Sequence, residues 1–259
     1  MGVAEEVVKV GGQSIQLFKA GSGRPLLVLH DVEGSPASQG FVQDLAARFT
    51  VHLPSHPGFG ASDRPAWIES VPDMAAFYGW FLQERGLEGV PVIGFGLGGW
   101  LAAEVAVACP HAFSKLVLVG ATGIRPAVGE IADIFIITPS QIRDLAFHDR
   151  SQAPEYAGLY ERPVSPEEQY VAERNREMAV RICWKPYMHD PRLPFLLPRV
   201  RVPARIVWGR QDRLVPLNCG ELYHRAIPGS ALAIVEGCGH MPQVERPAEF
   251  VRLALEFLA

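Results

Sequence analysis

Short apolar runs alternate with helical stretches along most of this chain, and this order limits the possible folds more than any other feature. The run at residues 90–93, for example, is followed directly by an Ala-rich helical stretch at residues 97–108. Such alternation is typical of a mostly parallel sheet covered by helices. Uninterrupted apolar runs such as residues 25–29 fit strands that are buried on both faces. The sequence therefore predicts an α/β fold.

The predicted sheet has eight strands, flanked by helices. The strands are expected at residues 6–10, 14–19, 25–29, 50–53, 90–93, 115–119, 204–208 and 231–235. The main helices are expected at residues 39–48, 74–85, 97–108, 167–182, 217–226 and 246–258. Gly11 and Gly12 stand between the first two strands, where paired glycines indicate a hairpin.

One long segment interrupts the alternation. Residues 123–198 contain no strand-like run and are rich in Pro, Tyr, Arg and Glu. We interpret this segment as a helical cap insertion in a single core domain made of residues 1–122 and 199–259. Two independent domains are the alternative, but the same strand–helix alternation resumes after the insertion, which favours one interrupted domain.

Charge and hydropathy narrow the range of partners. The formal net charge of the chain is -4, with both signs interspersed, which argues against a nucleic-acid partner. No apolar run is long enough to span a membrane, and the first residues, MGVAEEVVKVGG, do not resemble a signal peptide. Four scattered cysteines fit reduced thiols, so we expect a cytoplasmic protein. Nothing in the sequence indicates the oligomeric state.

Four stretches with chemically useful residues each follow a predicted strand. Loops that follow parallel strands emerge at the same edge of the sheet, where such folds place their sites. The stretches are LHDVEG (29–34), VIGFGLGGW (92–100), WGRQDRLVP (208–216) and EGCGHMPQVERP (236–247). We therefore expect them to converge on one active site.

Together with PSHPGFGASDRP (54–65), these stretches make the chain resemble the α/β-hydrolase superfamily, specifically its capped esterases and carbon–carbon bond hydrolases. Such proteins carry a nucleophile on a G-x-S-x-G turn between a strand and a helix, and a histidine and an acid activate it. The resemblance implies that His240 is the base and Asp212 the acid that orients it. It also implies an oxyanion hole formed by the N–H groups of Leu97 and Val32.

The chain departs from that pattern at the nucleophile. The turn reads Gly94-Phe95-Gly96-Leu97-Gly98, so Gly96 stands at the nucleophile position and has no side chain. Glycine tolerates the positive φ that such a turn requires, so we expect the fold to be kept. Loss of the nucleophile in triads of this kind removes about six orders of magnitude in turnover. Serine hydrolysis is therefore not expected.

A second departure lies in the loop after the third strand. Asp31 follows His30, where the family often has glycine. We expect its carboxylate to point outward or to cap a turn. The alternative is that Asp31 or Glu33 is a rebuilt acid, base or nucleophile within reach of His240, with His30 as a further auxiliary residue.

The sequence contains no motif that indicates a metal site or a cofactor site. The spacings of the histidines that could join His240 in a metal site, namely His30, His52 and His56, match no standard ligand motif. The glycines at 94–99 do not form a dinucleotide-binding motif, because the acidic ribose-binding residue and its βαβ context are missing. We therefore predict no metal and no cofactor, and a small molecule as the partner.

Three functional hypotheses remain open. The first is a hydrolase scaffold for small ester, thioester, lactone or vinylogous C–C substrates, whose nucleophile is absent through engineering or natural loss. The second is an acid–base enzyme that uses His240 without a nucleophile, such as a lyase, isomerase, cyclase or cofactor-free oxygenase. The third is a non-catalytic protein that binds a small molecule. The retained Asp212 and His240 favour the first two, and the first fits the remaining motifs best.

Overall fold

The structure, a computed structural model, describes residues 2–36 and 38–259. Its sheet contains eight strands: β1 (Ala4–Val10), β2 (Gln13–Ala20), β3 (Arg24–Leu29), β4 (Phe49–Pro54), β5 (Val90–Phe95), β6 (Phe113–Val119), β7 (Ala204–Gly209) and β8 (Ala231–Val235). Their spatial order is β1-β2-β4-β3-β5-β6-β7-β8. The pairs β1–β2 and β2–β4 are antiparallel, and the other neighbours are parallel. The predicted α/β architecture, a mostly parallel eight-stranded sheet flanked by helices, is confirmed.

Ten α-helices accompany these strands in the described residues. They are α1 (Gly40–Ala46), α2 (Val71–Arg85), α3 (Gly96–Ala108), α4 (Pro139–Ala146), α5 (Tyr156–Tyr160), α6 (Pro166–Cys183), α7 (Leu193–Leu196), α8 (Leu217–Ala226), α9 (Pro242–Glu245) and α10 (Pro247–Leu258). The segment 123–198 contains α4 to α7 and no extended strand among its residues.

The sheet separates two apolar cores, because successive side chains of a strand point to opposite faces. On β5, Val92 belongs to the core that α2, α3 and α8 cover. The next residue, Ile93, belongs to the core that contains Phe41 of α1 and Phe250 of α10. Both faces of the central strands are therefore buried, which explains their uninterrupted apolar runs.

Helix boundaries follow local capping signals. Helix α2 begins three residues before the predicted start, because the Ser70 hydroxyl accepts a hydrogen bond from the N–H of Asp73 and Pro72 suits the first turn. It ends where predicted, at Gly86, whose φ of 62° closes the helix. Helix α6 begins with a capping box in which Ser165 and Glu168 satisfy each other's backbone N–H groups.

Candidate active site

The turn from β5 into α3 places Gly96 at the carboxyl edge of the sheet. Gly96 has a φ of 47°, in the left-handed region that side chains other than glycine adopt with strain. The N–H group of Leu97 belongs to the first turn of α3 and so carries the positive end of the helix dipole. The turn therefore has the geometry that the resemblance implies, with an anion-attracting N–H group and no side chain.

The carboxylate of Asp31 fills the space beside Gly96. A Cβ atom added to Gly96 would lie 2.1 Å from Asp31 Cγ and 2.2 Å from each carboxylate oxygen. Asp31 Oδ1 accepts hydrogen bonds from the N–H groups of Leu97 (2.8 Å) and Val32 (2.7 Å). The two N–H groups predicted to form an oxyanion hole therefore converge, and a carboxylate of the chain itself occupies them.

The expectation that Asp31 points outward is wrong. Two backbone donors and the His240 side chain attract the carboxylate inward, and together they outweigh its loss of hydration. Glycine at position 96 supplies the room that the carboxylate needs. The alternative interpretation, in which Asp31 lies within reach of His240, agrees with the observed geometry.

His240 lies between two carboxylates. Its Nδ1–H donates to Asp212 Oδ2 at 2.7 Å, and its Nε2–H faces Asp31 Oδ2 at 3.4 Å. Asp212 Oδ1 accepts from the N–H groups of Leu214 and Val215, both at 2.9 Å, which fixes the carboxylate after β7. The side chain of Asp212 is fully buried and that of His240 nearly so. The predicted histidine and acid therefore meet at hydrogen-bond distance.

These carboxylates control the protonation of His240. Burial alone would lower the pKa of the imidazole, but the charges and hydrogen bonds of Asp212 and Asp31 prevail and raise the pKa to about 10. Burial would raise the pKa of Asp31, yet His240 and the N–H groups of Leu97 and Val32 hold it below its ordinary value. At neutral pH the site is thus an imidazolium between two carboxylates, able to give up a proton and to present a carboxylate oxygen.

Glu245, whose role nothing in the sequence indicated, helps to hold residues 236–247, called the His240 loop below. Its buried carboxylate accepts from the N–H of Gly239 and from the N–H of Asp149, both at 2.7 Å. The N–H of His240 donates in turn to the carbonyl of Ala146 at 2.6 Å. Asp149 and Ala146 both belong to the segment 123–198. That segment and the His240 loop are therefore joined by the hydrogen bond from the N–H of Asp149 to the Glu245 carboxylate and by the one from the N–H of His240 to the carbonyl of Ala146.

His30 lies under the Asp31 loop, away from the reactive atoms. Its Nδ1–H donates to the carbonyl of Asp31 at 2.6 Å, and its Nε2 accepts from the N–H of His56 at 2.9 Å. The Tyr78 hydroxyl donates to His56 Nδ1 at 2.6 Å and extends this buried network. Burial lowers the pKa of His30 to about 4, so the ring is neutral. With both nitrogens occupied, His30 anchors the loop and has no free atom for chemistry.

Glu33 stands at the mouth of the site. Its Oε2 accepts from the Tyr160 hydroxyl at 3.4 Å, and its carbonyl accepts from the side-chain amide of Asn175 at 2.8 Å. Desolvation by neighbouring groups and the charge of Asp31 raise the pKa of Glu33. The structure thus brings Asp31 to the reactive centre and keeps Glu33 at its rim.

An apolar cavity of about 80 Å³ faces the imidazole and the Asp31 carboxylate. Its walls come from the sheet edge and from the segment 123–198, and its lining residues include Asp31, Gly96, Ile131, Ile134, Ile142, Met188, Val215 and His240. A second cavity of about 270 Å³ adjoins it and shares Val32, Glu33, Ile134 and Ile142. The two cavities are therefore neighbours.

Two polar side chains that line the first cavity have an atom that is available for a ligand. Thr122 Oγ1 and Gln243 Oε1 are buried and have no hydrogen-bond partner among the described residues. Both residues line the cavity. They can therefore bind a polar atom of a substrate or a water molecule, because leaving such groups unsatisfied is costly.

The remaining predictions concern metals and membranes. Within residues 2–36 and 38–259, no group of three or more His, Cys, Asp or Glu side chains is arranged to hold a metal ion. None of the helices in the same residues has the length and apolar character to cross a membrane.

Comparison with known proteins agrees with this architecture. The chain is 26% identical to 2-hydroxy-6-oxo-2,4-heptadienoate hydrolase from Pseudomonas putida, over 98% of this chain and 95% of that protein. Its structure resembles a meta-cleavage product hydrolase from Pseudomonas fluorescens IP01 (25% identity, TM-score 0.81, covering 97% and 96% of the two chains). It also resembles a thermophilic esterase (25% identity, TM-score 0.75, covering 99% and 97%). Residues 26–253 match the alpha/beta hydrolase family, and because this match spans most of its length, the chain belongs to that family.

Proposed function

We propose that this protein is a hydrolase for a small, largely apolar molecule, with His240 and Asp212 as its acid–base pair and no serine in the reaction. The observation that carries the proposal is the buried 2.7 Å hydrogen bond between His240 Nδ1 and Asp212 Oδ2, beside an enclosed apolar cavity. A buried histidine that a carboxylate orients is the usual proton carrier of such sites.

The segment 123–198 acts as a cap in this proposal. Six of its residues line the cavity, namely Ile131, Ala132, Ile134, Ile142, Ala146 and Met188. Its carbonyl at Ala146 also binds the N–H of His240. A cap of this kind excludes bulk water, which strengthens the electrostatic interactions within the site.

The names of the relatives support hydrolysis as the reaction. They include hydrolases of meta-cleavage products, which are C–C bond hydrolases, and an esterase. In this chain, however, Asp31 occupies the two N–H groups that would stabilise the oxyanion of a carbonyl substrate. Ester, lactone or C–C substrates would therefore react only if the Asp31 carboxylate moved aside.

Acid–base chemistry without a nucleophile is a second candidate, and the lack of a side chain on Gly96 favours it. A water molecule directly above Gly96, however, would coincide with the Asp31 carboxylate. Purely passive binding is less consistent with the site, because burying a charged triad costs free energy that an apolar pocket alone would avoid.

The test compares hydrolysis of a panel of small aryl esters, lactones and terminal epoxides by the wild type and by His240→Ala. The exposed His111→Ala variant serves as the matched control. The proposal predicts hydrolysis of at least one class, a loss of about 10³-fold or more in kcat for His240→Ala, and no loss for the control. No hydrolysis of any class, or hydrolysis independent of His240, would overturn it.

A further inference from the structure

We infer that Asp31 is the covalent nucleophile of this enzyme, and that its substrate presents an electrophilic sp³ carbon, specifically that of an epoxide. This inference rests on the proposed hydrolase function and specifies its substrate class. It is carried by the Asp31 carboxylate, which lies in the space beside Gly96, with one oxygen on two N–H groups and the other facing His240.

The two oxygens of Asp31 are in different environments. Oδ1 accepts hydrogen bonds from Leu97 and Val32, which hold the carboxylate in place. Among the residues that the structure describes, Oδ2 has only the longer 3.4 Å contact with His240 Nε2. The Asp31 side chain is 26% exposed and lines the cavity, so a molecule in the cavity can reach it. An immobilised carboxylate with one lightly bonded oxygen can attack a carbon positioned in front of it.

The occupied N–H pair determines which electrophile fits. Attack on an ester carbonyl creates a new oxyanion, and that oxyanion would need the N–H groups that Asp31 Oδ1 already holds. Attack on an sp³ carbon creates no oxyanion at that position. The product of such an attack is an ester of Asp31 whose carbonyl oxygen is Oδ1. The N–H groups of Leu97 and Val32 are then in place for the second step, when Oδ1 becomes the oxyanion.

The first step balances with groups that are present in the site. Asp31 Oδ2 forms a bond to the epoxide carbon, the C–O bond of the ring breaks, and the electron pair passes to the ring oxygen. That oxygen takes the proton of the His240 imidazolium. The products are a hydroxyalkyl ester of Asp31 and a neutral His240.

The proton on His240 favours an epoxide substrate over an alkyl halide. A halide leaves without needing a proton but requires donors that stabilise it as an anion. Among the described residues that line the first cavity there is no Lys, Arg or Trp. An alkoxide requires a proton, and His240 with its raised pKa carries one at neutral pH.

The second step uses the change in charge that the first step causes. Esterification removes the negative charge of Asp31, one of the two that stabilise the imidazolium, so His240 can act as a base. His240 takes a proton from a water molecule, which Thr122 and Gln243 can bind, and the water oxygen attacks Asp31 Cγ. Collapse of the intermediate breaks the bond between Cγ and Oδ2, and Oδ2 leaves with the product as a hydroxyl oxygen after taking the proton of the new hydroxyl on Cγ. It releases a diol, regenerates the carboxylate and leaves His240 protonated.

The experiment follows the oxygen atoms. The wild-type protein is incubated with styrene oxide or 1,2-epoxyhexane in H₂¹⁸O, and the peptide containing Asp31 is sequenced by mass spectrometry. A covalent carboxylate predicts that ¹⁸O enters the Asp31 side chain. It also predicts that the diol from a single turnover in excess enzyme carries unlabelled oxygen. Turnover without label in Asp31 would overturn the inference, as would the absence of epoxide turnover.

Two variants complete the test. Asp31→Asn should lower epoxide turnover by about 10³-fold or more, whereas Asp44→Asn, the same change at an exposed aspartate on α1, should keep both the turnover and the labelling of Asp31. Full activity in Asp31→Asn would contradict the inference. If esters or lactones are hydrolysed in a His240-dependent reaction and Asp31 gains no label, only this inference fails and the proposed function stands.

Discussion

The carboxyl carbon of Asp31 lies 2.1 Å from the point at which a Cβ atom on residue 96 would stand. Non-bonded atoms do not approach so closely, so a side chain at position 96 and the observed position of Asp31 exclude each other. Glycine at position 96 and aspartate at position 31 therefore depend on each other in this structure.

The first prediction is that Gly96→Ser destabilises the protein in a way that depends on Asp31. The new side chain would meet the carboxylate and would also sit at a φ of 47°. We expect the free energy of unfolding to fall by about 2–4 kcal/mol in the wild-type background. With Asp31→Gly already present, only the backbone strain of about 1–2 kcal/mol should remain.

Urea denaturation of the four proteins of this cycle measures the coupling. Gly79→Ser is the matched control, because a Cβ atom on this exposed helical glycine would meet nothing within 4 Å. Equal losses of stability for Gly96→Ser in both backgrounds would show that the two positions do not interact. The double variant Asp31→Gly/Gly96→Ser should also gain hydrolysis of aryl esters that neither single variant has. Its new hydroxyl at position 96 would face His240, and the N–H groups of Leu97 and Val32 would be free to bind an oxyanion.

The second prediction concerns stability at alkaline pH. The folded state raises the pKa of His240 to about 10, so folding favours its protonated form. This stabilisation is complete below the unfolded-state pKa of about 6.5 and is lost as the pH rises through about 10. Between these values His240 should contribute a fall in unfolding free energy of about 1.4 kcal/mol per pH unit.

Denaturation curves of the wild type and of His240→Ala between pH 7 and 10 isolate this contribution, because other titrating groups affect both proteins alike. We expect the wild type to lose stability more steeply than the variant. Parallel curves would mean that the imidazole is already neutral at pH 7. At acidic pH the free energy of unfolding should change in the opposite direction. The lowered pKa of Asp31 adds stability that is lost as the pH falls through the pKa of Asp31 in the folded state.

The third prediction is that Glu245 positions His240 without taking part in the chemistry. Glu245→Gln weakens the acceptor for the N–H groups of Gly239 and Asp149. We expect a loss of about 1–3 kcal/mol in stability and a fall in kcat with little change in the pH at which activity declines. Glu256→Gln, which changes an exposed glutamate on α10, should leave both unchanged. A large shift of the pH profile in Glu245→Gln would instead indicate a direct role in proton transfer.

The sequence predicted the positions of Asp212 and His240 because each lies in a loop that directly follows a strand of a parallel sheet. It could not predict the direction of the Asp31 side chain. That direction depends on the room beside Gly96 and on the N–H of Leu97, which are distant along the chain and adjacent only in the fold. Two departures from the family pattern therefore looked independent in the sequence and are complementary in the structure.

Glu245 was missed for a similar reason. Its two partners, Gly239 and Asp149, lie in different parts of the chain, and no local pattern links them. The short helices α5, α7 and α9 have four or five residues each, too few to show a helical period in the sequence. Longer elements with caps and apolar periods, such as α2 and α6, were predicted within a few residues.

The most direct test of the account is the titration of the His240 imidazole by NMR in the wild type and in Asp31→Asn, with His240→Ala used to assign its signal. If the Asp31 carboxylate lies beside Gly96 and faces His240, the wild-type pKa will be well above 6.5, towards about 10, and will fall by about one unit or more in the variant. A wild-type pKa near 6.5, or one that Asp31→Asn leaves unchanged, would contradict the account.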